Sequence, residues 1–166
     1  DIKTGELASD RYRIPTPNPS TPEAVTATIK AIADHFNYQG SIGVAFPAAI
    51  LNGIVQNASN IDKNWICKNA ATLFSEATNC HVTVINDADA AGLAEMRFGH
   101  GQDVHGVGLI VTVGVGLGTA LFTNGVLLPN TELGHVYLKK KKEAEHWASD
   151  AIRKQENLSW KKWAKR

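Results

Sequence analysis

The strongest constraint on the fold lies in residues 81–95, HVTVINDADAAGLAE. Val82, Val84 and Ile85 are apolar and β-branched, a run that suits a buried strand. Asn86 and Asp87 bring N-cap chemistry, and Ala88 to Glu95 follow with helix formers. A strand running straight into a helix predicts an α/β chain. It also sets the Asp87 carboxylate at the carboxyl end of a strand, the edge where open α/β sheets collect ligands. A carboxylate there can act as general base toward a hydroxyl within hydrogen-bond reach. Taken alone, Asn86-Asp87 is more simply a helix cap. Two later segments reverse that preference.

The rest of the chain alternates in the same way. Glu6–Ile14 is a candidate strand, followed by a stiff proline loop. Thr21-Pro22-Glu23 places a hydroxyl at N-cap and proline in the first turn. The helix it opens is expected to reach about Phe36, with Val25, Ile29, Ile32 and Phe36 on one face. Ser41–Phe46 reads as a strand, Ala49–Val55 as a hairpin about Asn52-Gly53, and Asn57–Trp65 as a polar loop. Cys67–Ala77 is a short helix with Ala71, Leu73 and Phe74 inward. Val107–Val113 and Thr119–Phe122 are strands around the glycine-dense turn Gly114–Gly118. Thr123-Asn124-Gly125 turns the chain into Val126–Leu128, and helices are expected near Glu143–Lys154 and Ser159–Lys165. The sum is a mixed α/β fold with helices covering a sheet.

Composition removes several function classes. A net charge of +1 over 166 residues gives no bulk attraction to nucleic acid or to a membrane surface. No apolar run approaches the roughly 18 residues of a membrane span. Cys67 and Cys80 have no partner motif, which argues against a disulfide scaffold and a zinc site and fits a reducing cytoplasm. The chain opens without Met on DIKTGEL, and reads as a piece of something longer.

Two further segments carry chemistry. In VTVGVGLGTALF, Gly114, Gly116 and Gly118 separate two apolar strands. Alternating glycines let backbone amides approach an anion such as phosphate, and a tight ligand-free hairpin uses them just as readily. In NTELGH, Glu132 and His135 flank Gly134 and can accept from and donate to neighbouring hydroxyls; a lone ExxH is more often surface polarity. These two residues are too few for zinc, and no metal ligand set is expected. In combination, a base, an anion cradle and hydroxyl-reading side chains are the parts that phosphoryl transfer to a sugar needs.

INDADAAGLAEMRFG, TVGVGLGTALFTNGVLLPNTELGH and ASNIDKNW together resemble the ROK sugar kinases, and within them the polyphosphate-using glucokinases. RIPTPNPSTPEAV and NLSWKKWAKR extend the likeness over essentially the whole chain. The resemblance implies a partial actin-like ATPase (ribonuclease H-like) fold, with residues 1–97 from a small N-terminal α/β domain and 98–166 from a larger C-terminal one. It implies phosphorylation of the glucose 6-hydroxyl by polyphosphate or ATP with Mg2+, in a cleft between the domains. Asp87 would be the base. Asn60, Asn86, Glu132, His135 and, with a one-residue offset, Glu145 would contact the sugar, and Gly114, Gly116 and Gly118 the phosphate. Trp65, in the sugar loop so implied, would report binding. A homodimer is implied for the full-length parent.

There are departures from the family pattern. Val115 stands where a threonine is usual, Tyr137 where the subgroup tends to have an acid, and Lys139–Lys142 where it has an acidic-glycine turn. The lysine run could attract a polyanion, although such runs are usually a solvated turn. The chain starts after the family's first phosphate motif and stops before its later glycine motif, so weak activity or none is expected of it alone. The alternatives are a mannose or amino-sugar kinase, a sugar-responsive repressor, and a non-catalytic sugar-binding remnant. No helix-turn-helix opens this chain to favour the repressor.

Overall fold

The computed structural model describes residues 1–138 and 141–166. It divides into two compact units, Asp1–Asp87 and Ala88–Arg166.

In the first unit, α1 (Pro22–His35) starts as its sequence dictates: Thr21 is extended and its hydroxyl accepts the Ala24 N–H at 3.3 Å. β1 (Ile42–Phe46) pairs in parallel with β4 (Val82–Asn86), aligning Phe46 with Asn86. Between them β2 (Ile50–Leu51) and β3 (Ile54–Val55) form the expected hairpin. Its turn residues Asn52 and Gly53 both take positive φ, 52° and 79°, the geometry an Asn-Gly pair tolerates. α2 (Ala70–Thr78) is capped by Asn69 and packs beside α1.

The core of this unit is aromatic at its centre. Trp65 is fully buried, with its ring 4.8 Å from Phe46 and 5.7 Å from Phe74. Its indole N–H donates to the Ser20 carbonyl at 2.9 Å, and the Ser20 hydroxyl accepts the Asp62 N–H at 3.3 Å. The segment expected to be a shapeless polar loop therefore ends in a 3-10 turn, Lys63–Trp65, bolted to the proline loop. Trp65 is a core residue. The candidate strand Glu6–Ile14 is not a strand: no other strand pairs with it among the described residues, its charges interrupt the alternation, and Tyr12 instead stacks on His35 at 3.6 Å.

In the second unit, α3 (Asp87–Phe98, its first residue belonging to the first unit) packs against an antiparallel sheet of β5 (Val107–Val113), β6 (Leu117–Thr123) and β7 (Val126–Leu128). Gly92 makes this packing possible, because a Cβ there would collide with Ala120 and Phe122, themselves buried in β6. That close fit groups α3 with the sheet, so the compact units divide at 87/88, whereas the expected domain boundary lies at 97/98. The glycine turn is tighter than expected. Gly118 already lies in β6 opposite Thr112, leaving residues 114–116 as the turn. The other face of the sheet, Val107, Leu109, Val111 and Val113 of β5 with Val126 and Leu128 of β7, is exposed.

The single helix expected near 143–154 is two, α4 (Glu145–Ala148) and α5 (Asp150–Gln155). Ser149 breaks it by adopting an extended conformation and capping α5 through its hydroxyl. α6 (Trp160–Trp163) follows, capped by Ser159. The indole N–H of Trp163 donates to the Ala148 carbonyl at 2.7 Å, and Trp160 is exposed beneath the Arg153 guanidinium. No helix among the described residues is long and apolar enough to cross a membrane, and both cysteines are free.

Trp65 carries a testable consequence. Trp65→Ala is expected to cost about 3–5 kcal/mol by urea denaturation. Trp65→Phe, which keeps the ring packing but orphans the Ser20 carbonyl, is expected to cost about 1–3 kcal/mol. A negligible loss in Trp65→Phe would contradict the bolt to Ser20.

Candidate functional site

The first unit supplies Asn60, Asn86 and Asp87. Asn86 ends β4 and is buried, its side-chain amide donating to the Ala48 carbonyl at 3.1 Å. That bond fixes the end of the strand. The next residue, Asp87, opens α3 and is exposed. An exposed carboxylate at a helix start gains from the helix dipole and can accept a proton from an incoming hydroxyl. Asn60 is exposed in the turn before Lys63–Trp65, where the Asp62 carboxylate accepts the Asn64 N–H.

The second unit brings Glu132, His135 and Glu145 together. β7 runs into residues 130–135, where Asn130 and Glu132 take φ of 56° and 46°. Asparagine tolerates this left-handed region, whereas a glutamate there costs on the order of 1 kcal/mol or more. A 3-10 turn, Leu133–His135, follows, with the His135 N–H donating to the Glu132 carbonyl at 3.0 Å. The chain then doubles back: the Leu138 N–H donates to the Lys142 carbonyl and the Ala144 N–H to the Val136 carbonyl. This return carries Glu143 and Glu145 to His135. Of the lysine run read from the sequence, Lys139 and Lys140 lie outside the described residues.

His135 sits among three carboxylates. Its Nδ1 is 3.1 Å from Glu143 Oε2 and 3.8 Å from Glu145 Oε1, and its Nε2 is 3.4 Å from Glu132 Oε2. His146 adds a second imidazole, 3.8 Å from Glu143 and 3.7 Å from Glu145. The hydrogen bond to Glu143 is the main cause that raises the His135 pKa above its ordinary 6.5; burial opposes it, and Glu145 and Glu132 add attraction. The same bond lowers the Glu143 carboxyl below its ordinary 4.5. Ligand atoms of His135, Glu143 and Glu145 all lie within 4.8 Å of one another, a spacing at which they could hold a metal ion. Glu143 and His146 escaped the sequence reading. The EAEH run was a signal, but the turn that returns it to NTELGH left no pattern.

The glycine turn is partly committed to itself. The Gly114 N–H donates to the Gly116 carbonyl at 3.0 Å, and the Gly114 carbonyl accepts from Ala151 of α5 at 3.2 Å. Gly116 faces Glu145, whose carboxylate would collide with any Cβ at that position. The structure thus brings Gly116 to the imidazole–carboxylate cluster, while Gly118 packs within the sheet against Thr112 and Ala88.

A strand-to-helix carboxylate, a glycine hairpin and an imidazole–carboxylate cluster thus stand on a mixed α/β scaffold. Residues 3–148 match the ROK family, and the chain belongs to it. It is 43% identical to the polyphosphate glucokinase of Mycobacterium tuberculosis (strain CDC 1551 / Oshkosh), over 99% of this chain and 62% of that protein. The crystal structure of the inorganic polyphosphate/ATP-glucomannokinase from Arthrobacter sp. strain KM superimposes with a TM-score of 0.92 at 39% identity, covering 99% of this chain and 67% of that one. A ROK family glucokinase from Streptomyces griseus, in complex with glucose and AMPPNP, matches at a TM-score of 0.64 and 25% identity, over 83% of this chain and 48% of that one. The fold is that of the actin-like ATPases. The chain spans about three-fifths of the length of the curated relatives it matches.

Two outcomes test this geometry. A raised His135 contributes stability that is complete below 6.5 and is lost as pH rises through its folded value; a lowered Glu143 contributes stability present above 4.5 and lost as pH falls through its own. The pair therefore contributes most between those two ordinary values. Glu143→Gln is expected to move the His135 midpoint down toward 6.5, followed through the imidazole Cε1–H NMR signal; an unmoved midpoint would show that the bond is not made. The strained Glu132 makes a second test. Glu132→Asn, which accepts the left-handed backbone, is expected to hold or raise the thermal midpoint by scanning calorimetry. A fall in the midpoint would show that the glutamate is not strained there.

Proposed function

We propose that this chain carries the sugar-binding and proton-accepting parts of a kinase that phosphorylates glucose on its 6-hydroxyl, with inorganic polyphosphate or ATP as donor. The observation that carries this reading is the strained Glu132 held beside His135, in a chain that resembles polyphosphate glucokinases over 99% of its length. A glutamate in the left-handed region is kept against stability, and hydroxyl recognition gives a reason to keep it.

In the reaction, the 6-oxygen attacks the terminal phosphorus of the donor, forming the O–P bond as the bond to the donor's bridging oxygen breaks. Asp87 accepts the hydroxyl proton as this happens. Glu132 accepts from sugar hydroxyls, and His135, protonated more readily through Glu143, donates. Asn86, Asn60 and Glu145 add contacts. Gly114, Gly116 and Gly118 are assigned to the phosphate side, with the Gly114 amide already bonded within the turn. Glu145 beside Gly116 is a like-charged neighbour for any anion there.

Magnesium belongs to the same proposal as a companion of the donor. It prefers octahedral oxygen ligands and keeps several waters. Among the described residues, the His135–Glu143–Glu145 cluster is centred on an imidazole and does not fit that preference. Assembly as a homodimer and residence in the cytoplasm are part of this reading too.

The test is glucose 6-phosphate formation with polyphosphate or ATP. Asp87→Ala is expected to lower kcat by about 10²–10⁴-fold with glucose affinity little changed. Full turnover in Asp87→Ala would overturn the base assignment. Absence of glucose binding by the unsubstituted protein would overturn the whole reading.

A further inference from the structure

The turn that carries Glu132 and His135 is not held by its own secondary structure. Two of its residues are left-handed, and a single 3-10 turn closes it. What holds it comes from elsewhere in the second unit. Asp89, in the first turn of α3, is fully buried, and its Oδ2 accepts the Asn130 N–H at 2.8 Å, across 41 residues of sequence. Thr119 of β6, also buried, accepts the Leu133 N–H on its hydroxyl at 2.9 Å. Gly134 completes the seat, because any Cβ there would drive into the Leu117 carbonyl.

We propose that Asp89 and Thr119 are positioning residues that set the Glu132–His135 pair, one gripping the backbone before Glu132 and the other the backbone after it. This rests on the reading of that pair as sugar-binding. Burying an acidic side chain is costly unless hydrogen bonds repay it, and apolar residues fill a helix–sheet contact without that cost. The acid is therefore kept for what it holds. The two grips bracket Glu132: Asn130 lies two residues before it and Leu133 one after. Together they restrain the backbone on both sides of it. Glu132 in turn lies against His135 Nε2, so a shift of the turn disturbs both groups.

The experiment compares Asp89→Ala, Asp89→Asn and Thr119→Val. Asp89→Ala removes the acceptor, whereas Asp89→Asn keeps a carbonyl oxygen in the same place. Thr119→Val removes the hydroxyl at nearly constant shape, and carries the test if Asp89→Ala fails to fold. Asp89→Ala and Thr119→Val are expected to weaken glucose binding, by calorimetry, by about tenfold to a hundredfold, the scale of a small misplacement of a binding group. Asp89→Asn is expected to restore affinity to within about threefold of the parent, since one good acceptor remains. The KM for polyphosphate or ATP is expected to stay put while that for glucose rises, a split that general loosening of the fold would not give.

A second readout needs no sugar. The His135 imidazole NMR signals are expected to move in Asp89→Ala and Thr119→Val and to return in Asp89→Asn. Folded variants with unaltered glucose affinity and unaltered His135 signals would overturn the proposal. Shifted His135 signals in a protein that never binds glucose would instead uphold the positioning and sink the sugar assignment.

Discussion

The hand-over from β4 to α3 at Asn86-Asp87 is the constraint from which the rest follows. A strand residue whose side chain is spent on the Ala48 carbonyl is followed at once by an exposed carboxylate that starts a helix. From Ala88 onward the same helix turns small or buried groups toward the sheet: Ala88 beneath Gly118, Asp89 on the Asn130 N–H, and Gly92 beneath Ala120 and Phe122. One short segment thus ends a sheet, presents an acid and anchors a distant turn. Asn86, Ala88, Asp89 and Gly92 are each held against a different neighbour.

The second unit shows stability given up at a defined place. Glu132 holds a backbone conformation suited to glycine or asparagine, an acidic group is buried beneath the turn, and a carboxylate lies over Gly116. These departures from an apolar, relaxed core converge on residues 130–135. Elsewhere threonine, asparagine and serine cap helices and Asn-Gly turns a hairpin, while Cys67, Asp103 and Lys141 also take positive φ, 65°, 59° and 54°. What sets the 130–135 turn apart is that a left-handed glutamate lies beside a histidine and above a buried acid. The apolar outer face of β5 and β7 is a different kind of exception, a surface with the composition of an interior.

Much of this could be read before any coordinates. The β4–α3 junction was legible because strand and helix signals abut without a loop, and α1 because Thr21-Pro22 is an unambiguous start. NTELGH could be singled out by its residue types, and Glu145 by resemblance. Other features left no local trace. Glu6–Ile14 reads as a strand, but it finds no partner strand in the described residues, and pairing is a long-range property. Ser149-Asp150 is a cap signal inside a helical pattern, and the pattern was given too much weight. Trp65 closes a polar loop in the sequence, and only the tertiary fold puts Phe46 and Phe74 around it. Glu143 needed the doubling back of the chain after Leu138. Asp89 was hidden by its neighbour, since an acid two residues after a candidate base reads as helix polarity.

The account stands or falls on whether the 130–135 turn and the β4–α3 junction respond to the same ligand. Backbone amide NMR shifts during a glucose titration would show this directly. The account predicts saturable shifts with one dissociation constant at Asn86, Asp87, Glu132 and His135, with the buried Trp65 amide unmoved. Shifts confined to other surfaces, or a response at the junction with none in residues 130–135, would contradict it.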